Sequence, residues 1–287
     1  MRASIVISTK DKLSRLKLVL QALEPQVNHQ VEVIIVFDGC NQSTMNRFNQ
    51  IHFSFSPIKI VCETNVGRAV ARNLGIKQAK GEIIIFLDDD RVPCPGFVQM
   101  HIDGHSEKCI LYGERPDVFF SENEINELGN ENDLSHVMET LKSRIVNKED
   151  SNTAFIDPGK IFKWLNFLTG NISVEKKDIE KVGMFDESFK EWGQEDIDLG
   201  IRLFREKLPF KKDDHIVNFH LLHPSNFDIK EMKMKSLVNL KYMIKKYKKD
   251  TVLFLSLIIL FIKYKLIGLS IDHNAYEYEQ RFSKVKL

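Results

Sequence analysis

The sequence predicts an α/β protein: a mostly parallel sheet flanked by helices, with a helical extension at its C-terminal end. Three observations predict it. Short β-branched runs alternate with helix-period segments through the first hundred residues. Those runs end repeatedly in polar residues, at Ser8-Thr9, at Asp38 and at Asp88-Asp89-Asp90. Beyond residue 226 the composition turns basic and then continuously apolar.

Ser4–Ser8 is the first strand, and Lys12–Leu23 places apolar residues at 13, 16, 20 and 23, a helical period. Val31–Phe37 and Ile58–Cys62 read as the second and third strands, Gly67–Ala79 as a helix, and Glu82–Leu87 as the fourth strand. Strands separated by helices imply parallel pairing with both sheet faces covered. Ligands on such sheets sit beyond the carboxyl ends of the strands, where the polar residues gather. From Phe119 to Asn152 the chain is polar, with few apolar anchors, and predicts a surface excursion with one helix near Leu134–Val146. Regular structure resumes at Phe162–Phe167, and Ile216–Phe219 is strand-like.

Composition bounds the function. The 287 residues carry 41 basic and 40 acidic side chains, so no overall field recruits nucleic acid. Cys40, Cys62, Cys94 and Cys109 lack CxxC spacing, which argues against a zinc site or a disulfide framework and for a reducing compartment. The apolar run after Met1 is too short for a signal peptide and reads as a strand.

Three segments carry chemistry. Asp88-Asp89-Asp90 concentrates negative charge at a strand end; it is either a solvated acidic loop or a seat for Mn2+ or Mg2+, which prefer carboxylate oxygens. Asn65-Val66-Gly67-Arg68, with Arg72 one turn on, places backbone amides and cations at a helix start, suited to phosphate. Trp192-Gly193-Gln194-Glu195-Asp196 sets carboxylates at the start of the next helix, either as helix-capping acids or as a general base beside a ring that could stack on a sugar. His220 and His223, three apart, are candidate cation ligands or ordinary partly buried histidines.

Together these segments resemble GT-A glycosyltransferases of the family 2 type. The first block is the strand ending at Asp38, then Asn65-x-Gly67-x-x-x-Ala71-Arg72-Asn73-x-Gly75, then Gly81-Glu82-x-Ile84-x-Phe86-Leu87-Asp88-Asp89-Asp90. The second is Gly170-Asn171-x-Ser173-Val174, Val182-Gly183-x-Phe185-Asp186, and Trp192-Gly193-x-Glu195-Asp196-x-Asp198, similar to a galactosyltransferase-type acceptor region. Two positions depart from the pattern: Lys10-Asp11 replaces the usual aromatic-Asn pair, and Gln194 replaces the second glycine before Glu195.

The resemblance implies a GT-A domain over 1–225, with a nucleotide-sugar half at 1–115, an acceptor half at 153–225, and a basic-apolar helical extension at 226–287. It implies an inverting, metal-dependent hexosyl or N-acetylhexosaminyl transfer from a UDP-sugar to a saccharide or glycolipid hydroxyl. Thr9, Asp38, Asn65, Gly67, Arg68, Arg72, Asp88 and Asp89 would hold the donor. Asp88, Asp90, His220 and His223 would hold Mn2+ or Mg2+. Asp196 would be the base, with Glu195 beside it, and Trp192, Gly193 and Asn171 would meet the acceptor. A nucleotidyltransferase would need a glycine-rich loop after the first strand, which Thr9-Lys10-Asp11-Lys12 is not. A non-catalytic carbohydrate- or membrane-binding adaptor is the remaining alternative. The extension, with KYMIKKYKK at 241–249 and VLFLSLIILFI at 252–262, implies peripheral membrane contact through 241–271 and a cytoplasmic place at the inner membrane face.

Overall fold

The computed structural model describes residues 1–146, 162–222 and 229–270. The N-terminal part follows the predicted alternation: β1 (Ala3–Thr9), α1 (Leu13–Leu23), β2 (Val31–Asp38), α2 (Gln42–Phe48), β3 (Ile58–Cys62), α3 (Arg68–Gln78) and β4 (Ile83–Phe86). There follow β5 (Arg91–Pro93), α4 (Phe97–Gly104), β6 (Ile110–Glu114), β7 (Asp117–Phe119), α5 (Glu122–Leu128) and α6 (Leu134–Ser143). The last part holds β8 (Ile172–Glu175), α7 (Lys176–Lys181), α8 (Glu195–Arg205), β9 (Phe210–Leu222), α9 (Ile229–Lys246) and α10 (Thr251–Ser270).

The strands join in one sheet of order β3-β2-β1-β4-β8-β6-β9-β5, with β7 also paired to β9. Five of the eight pairings are parallel. Strand β8 reverses direction between β4 and β6, so the two halves share a sheet rather than forming separate bodies.

Strand alternation sorts the core into two layers. Ile5, Ile7, Ile83 and Ile85 face α1, while Val6, Ile84 and Phe86 face the opposite layer with α3 and α8. Helix α3 lies close to the sheet because Gly75 leaves no Cβ; one built there would sit 2.4 Å from Val6 Cγ1.

The excursion after Phe119 is more ordered than its composition suggests. It carries two helices, and Ile125, Leu128, Val137, Met138 and Leu141 belong to the layer under α1. Ser121 and Glu124 close a reciprocal capping box on α5, and Arg15 of α1 pairs with Glu122 at 2.6 Å. Apolar residues at helical spacing, diluted among polar ones, bury a face that composition alone hides. The part of the excursion at 147–152 lies outside the described residues.

Helix α9 packs on α8 as part of the core. Leu240, Met243 and Tyr247 are buried, and fully buried Asp198 accepts hydrogen bonds from Lys246 at 2.7 Å and Tyr247 at 2.8 Å.

Candidate active site

Parallel order brings the ends of β1, β2 and β4 to one rim, where Thr9, Asp38 and Asp88–Asp90 meet. Each carboxylate there has a distinct partner. Asp38 accepts from the Val66 amide at 2.6 Å and the Gly67 amide at 3.2 Å, so it braces the turn into α3. Gly67 takes the left-handed side of backbone space at φ +91°, and Asn65 and Arg68 stay exposed on either side of it. Buried Thr9 donates to Asp89 at 2.7 Å. Lys12 lies 2.8 Å from Asp90 and 3.4 Å from Asp89. Asp88 lies 3.3 Å from Arg72 and 3.9 Å from Arg91.

These partners split the three acids. Burial pushes the Asp89 carboxyl above the usual range. Burial acts the same way on Asp88, but Arg72, Arg91 and Arg68 together outweigh it and hold that carboxyl below the usual range.

The second acidic pair reaches the same rim. Arg72, predicted to bind the donor, is buried instead, and it donates to Glu195 at 2.9 Å while facing Asp88. One guanidinium therefore joins the two acidic clusters. Across the mouth, Arg68 stacks over Trp192 at 5.8 Å. Asp196 keeps part of its surface open, while Glu195 is buried with Oε2 unpaired among the described residues. Burial first, and the Glu195 charge second, push the Asp196 carboxyl up to about 7.

The loop that carries these acids is held from behind. Gln194 sits in the left-handed region at φ +75°, a conformation that suits the glycine usually found there. Its side chain turns away from the mouth and donates to Ser236 of α9 at 2.9 Å. Asn239 of α9 donates to the Glu191 and Gly193 carbonyls at 2.9 and 2.6 Å. Gly193 thus serves the site through its backbone.

Asn171 is a correction. Expected at the acceptor, it is buried, accepts from His101 at 3.0 Å, and donates to the Glu114 and Ile216 carbonyls at 2.8 and 3.1 Å. It locks β6, β9 and α4 together. Neighbouring Gly170, at φ +106°, leaves room for Asp88 and Arg91; a Cβ there would sit 2.6 Å from Asp88 Oδ2.

The divalent cation can be tested against one arrangement. His220 Nδ1 donates to Asp117 at 2.8 Å, which aims Nε2 toward Asp90 Oδ1, 3.8 Å away. Burial first, then Arg91, push the His220 pKa down, so the ring is neutral near pH 7. A carboxylate-oriented neutral histidine beside an aspartate suits a divalent ion. Among the described residues no three His, Cys, Asp or Glu side chains are placed to complete a metal cage, so donor oxygens would have to contribute. Asp88, turned to Arg72, does not join the pair, and His223 lies outside the described residues.

Sequence reasoning missed Lys12, Arg91, Arg115 and Asp117. Arg115 is half-buried near Arg91, and its pKa falls to about 9 through burial first and Arg91 second. Only Arg91, next to Asp90, carried a positional signal.

Residues 4–162 match the profile of glycosyl transferase family 2, and residues 152–223 match the N-terminal domain of galactosyltransferase. The chain belongs to glycosyl transferase family 2. It is 29% identical over 259 residues to the uncharacterized glycosyltransferase YfnE of Bacillus subtilis, covering 79% of this chain and 66% of that one. It is 28% identical to the hyaluronan synthase of Pasteurella multocida and 30% identical to the chondroitin synthase of Escherichia coli. Each of those matches covers 76% of this chain, but only 24% and 34% of the synthases. The chain thus spans less than two thirds of the length of these relatives.

The fold matches a mannosyltransferase from Pyrobaculum calidifontis in complex with GDP-Man and Mn2+, with TM-score 0.61 at 12% identity, over 99% of this chain and 80% of that one. It also matches GalNAc-T7 with UDP, GalNAc and Mn2+, with TM-score 0.60 at 13% identity, over 85% of this chain and 47% of that one. The architecture is therefore GT-A.

Proposed function

We propose that this family 2 glycosyltransferase chain is an inverting, metal-dependent enzyme that moves a hexose or N-acetylhexosamine from a UDP-sugar to a saccharide or glycolipid hydroxyl. Polysaccharide or glycoconjugate assembly at the cytoplasmic face of the membrane is the setting that fits it. The observation that carries this reading is Asp196: a partly open carboxylate with a pKa of about 7, joined through Glu195 and Arg72 to the Asp88 cluster.

A base with that pKa is matched to drawing a proton from an alcohol near neutral pH. Glu195 supports it twice, by raising its proton affinity and by anchoring the helix start to Arg72. Trp192, pinned by Arg68, offers a ring face to a sugar. Arg68 and the amides near Gly67 stand where donor phosphates could enter. Asp90 and His220 would hold Mn2+ or Mg2+, which when bound neutralises charge developing on the departing diphosphate. A single attack opposite the leaving group inverts the anomeric centre.

A panel of UDP-sugars, scored by metal-dependent UDP release with and without saccharide acceptors, tests the reading. Release from at least one donor that vanishes in Asp196→Asn supports it. Failure of every donor, or full transfer by Asp196→Asn, rejects it; no release at all would favour a binding adaptor.

A further inference from the structure

We infer that the outer face of the α9–α10 hairpin is the surface on which this chain meets an anionic lipid bilayer. Nine large apolar residues are exposed among the described residues, and six of them lie on this hairpin: Met234, Val238, Val252, Leu255, Ile259 and Ile262. Elsewhere in the described chain only Met1, Val61 and Ile145 are so exposed, and they are scattered singly, while the other large apolar side chains gather in two layers.

The exposed residues follow helical geometry. On α10, Val252, Leu255, Ile259 and Ile262 fall within about 80° of arc at 3.6 residues per turn. Leu253 and Leu257 point the other way and are buried. On α9, Met234, Val238, Lys241 and Lys245 form one exposed line at spacings of four, three and four. The opposite face of α9 holds Ser236, Asn239, Leu240 and Met243, all buried, and Tyr247 just after the helix is buried with them. Helix α9 is therefore two-faced: inward it supports the Trp192–Asp196 loop, and outward it carries apolar residues followed by lysines.

Charge selects the occupant. Residues 229–265 contain ten lysines against two acids, in a chain whose overall net charge is only +1. Lys248 and Lys249 are exposed where the two helices turn. A second copy packed on this face by two-fold symmetry would place like charges together, and protein interfaces exclude lysine from their centres. Lipid headgroups take the opposite sign, while lysine stems lie along the apolar residues beside them. Among the described residues no helix is long and apolar enough to cross a membrane, so the hairpin lies on the surface.

The geometry has a consequence for the acceptor. Helix α9 bonds directly to the Gln194 side chain and to the Gly193 carbonyl, so the docked face lies one helix diameter, about 10 Å, behind the base-bearing loop. That clause alone rests on the glycosyl-transfer reading; the docking itself does not.

Co-sedimentation of the full chain with phosphatidylglycerol-containing vesicles, against pure phosphatidylcholine vesicles, tests the inference. Binding should favour the anionic vesicles by at least tenfold. It should weaken about fivefold for each of Lys241→Gln and Lys245→Gln. It should be lost in the double variant Val238→Glu, Ile259→Glu, whose sites are already exposed, with metal-dependent UDP-sugar hydrolysis unchanged. Asp196→Asn should bind vesicles as wild type does, which separates docking from catalysis. Equal binding to both vesicles, or none, overturns the inference. So does a dimer in light scattering that the double glutamate variant splits without any vesicle binding.

Discussion

The two acidic clusters of this site are built on opposite electrostatic plans. Around Asp88–Asp90 the chain supplies Arg72, Arg91, Lys12 and the Thr9 hydroxyl, so each carboxylate has its own compensating neighbour. Around Glu195 and Asp196, among the described residues, only Arg72 makes a direct ion pair, and Glu195 takes it. In the first cluster the cations hold Asp88 below the usual carboxylate range, while burial keeps Asp89 above it. The second leaves one carboxylate under-compensated, and a carboxylate in that state binds protons near neutral pH. Acid clusters of similar composition therefore differ in chemistry through the cations that the fold delivers to them.

The comparison can be broken most severely at Asp196. Asp196→Asn should lower kcat for transfer by about 10²–10⁴-fold. UDP affinity by calorimetry should remain within about twofold. Because the native-state pKa is raised, wild-type stability falls as pH climbs from the ordinary carboxylate range through about 7. The asparagine variant should therefore gain of the order of 1–3 kcal/mol in denaturant melts at pH 8, and nothing at pH 4. Equal stability at both pH values would mean Asp196 is an ordinary exposed acid.

Next in size is the bridge. Arg72→Met leaves Glu195 and Asp88 facing each other without their shared cation, and it should cost about 3–5 kcal/mol in urea unfolding. The pH profile sharpens the comparison further. For wild type, kcat/KM should fall about tenfold per pH unit below about 7 and level off above it. A flat profile from pH 5 to 8 would remove Asp196 as the base.

The smallest effect concerns Lys12. Its ammonium competes with any cation for Asp90, so Lys12→Met should strengthen Mn2+ binding about two- to fivefold without donor, read by loss of the free-ion EPR signal. Weaker Mn2+ binding would show that Lys12 helps assemble the cation seat.

The N-terminal part was legible in the sequence because β1, β2 and β4 are buried on both faces. Residues 33–37 of β2 and the run 83–87 through β4 are uninterrupted apolar stretches followed by acids, a pattern that survives without structural context. Strands β5 and β7 span three residues each and take their register from β9, so local periodicity says nothing of them. The excursion misled through composition, because five buried residues in α5 and α6 outweigh their polar surroundings.

At the site, residue identities were readable but directions were not. Asn171 precedes β8 in a family-like segment, yet its amide points into the fold. Arg72 was visible as a cation after a glycine turn, while its reach to Glu195, 123 positions along the chain, depends on how α3 meets α8. The orientation of His220 is set by Asp117, a partner far from any motif.

Asp198 sets where this protein can be shortened. Its carboxylate is wholly enclosed, and Lys246 and Tyr247, supplied by α9, fill positions that Arg202 alone cannot. A truncated product ending near residue 225 would strand that negative charge inside the molecule and take the props from behind Gly193. An expression boundary that preserves a working catalytic unit must therefore fall beyond Tyr247, even when the aim is only to shed the greasy tail.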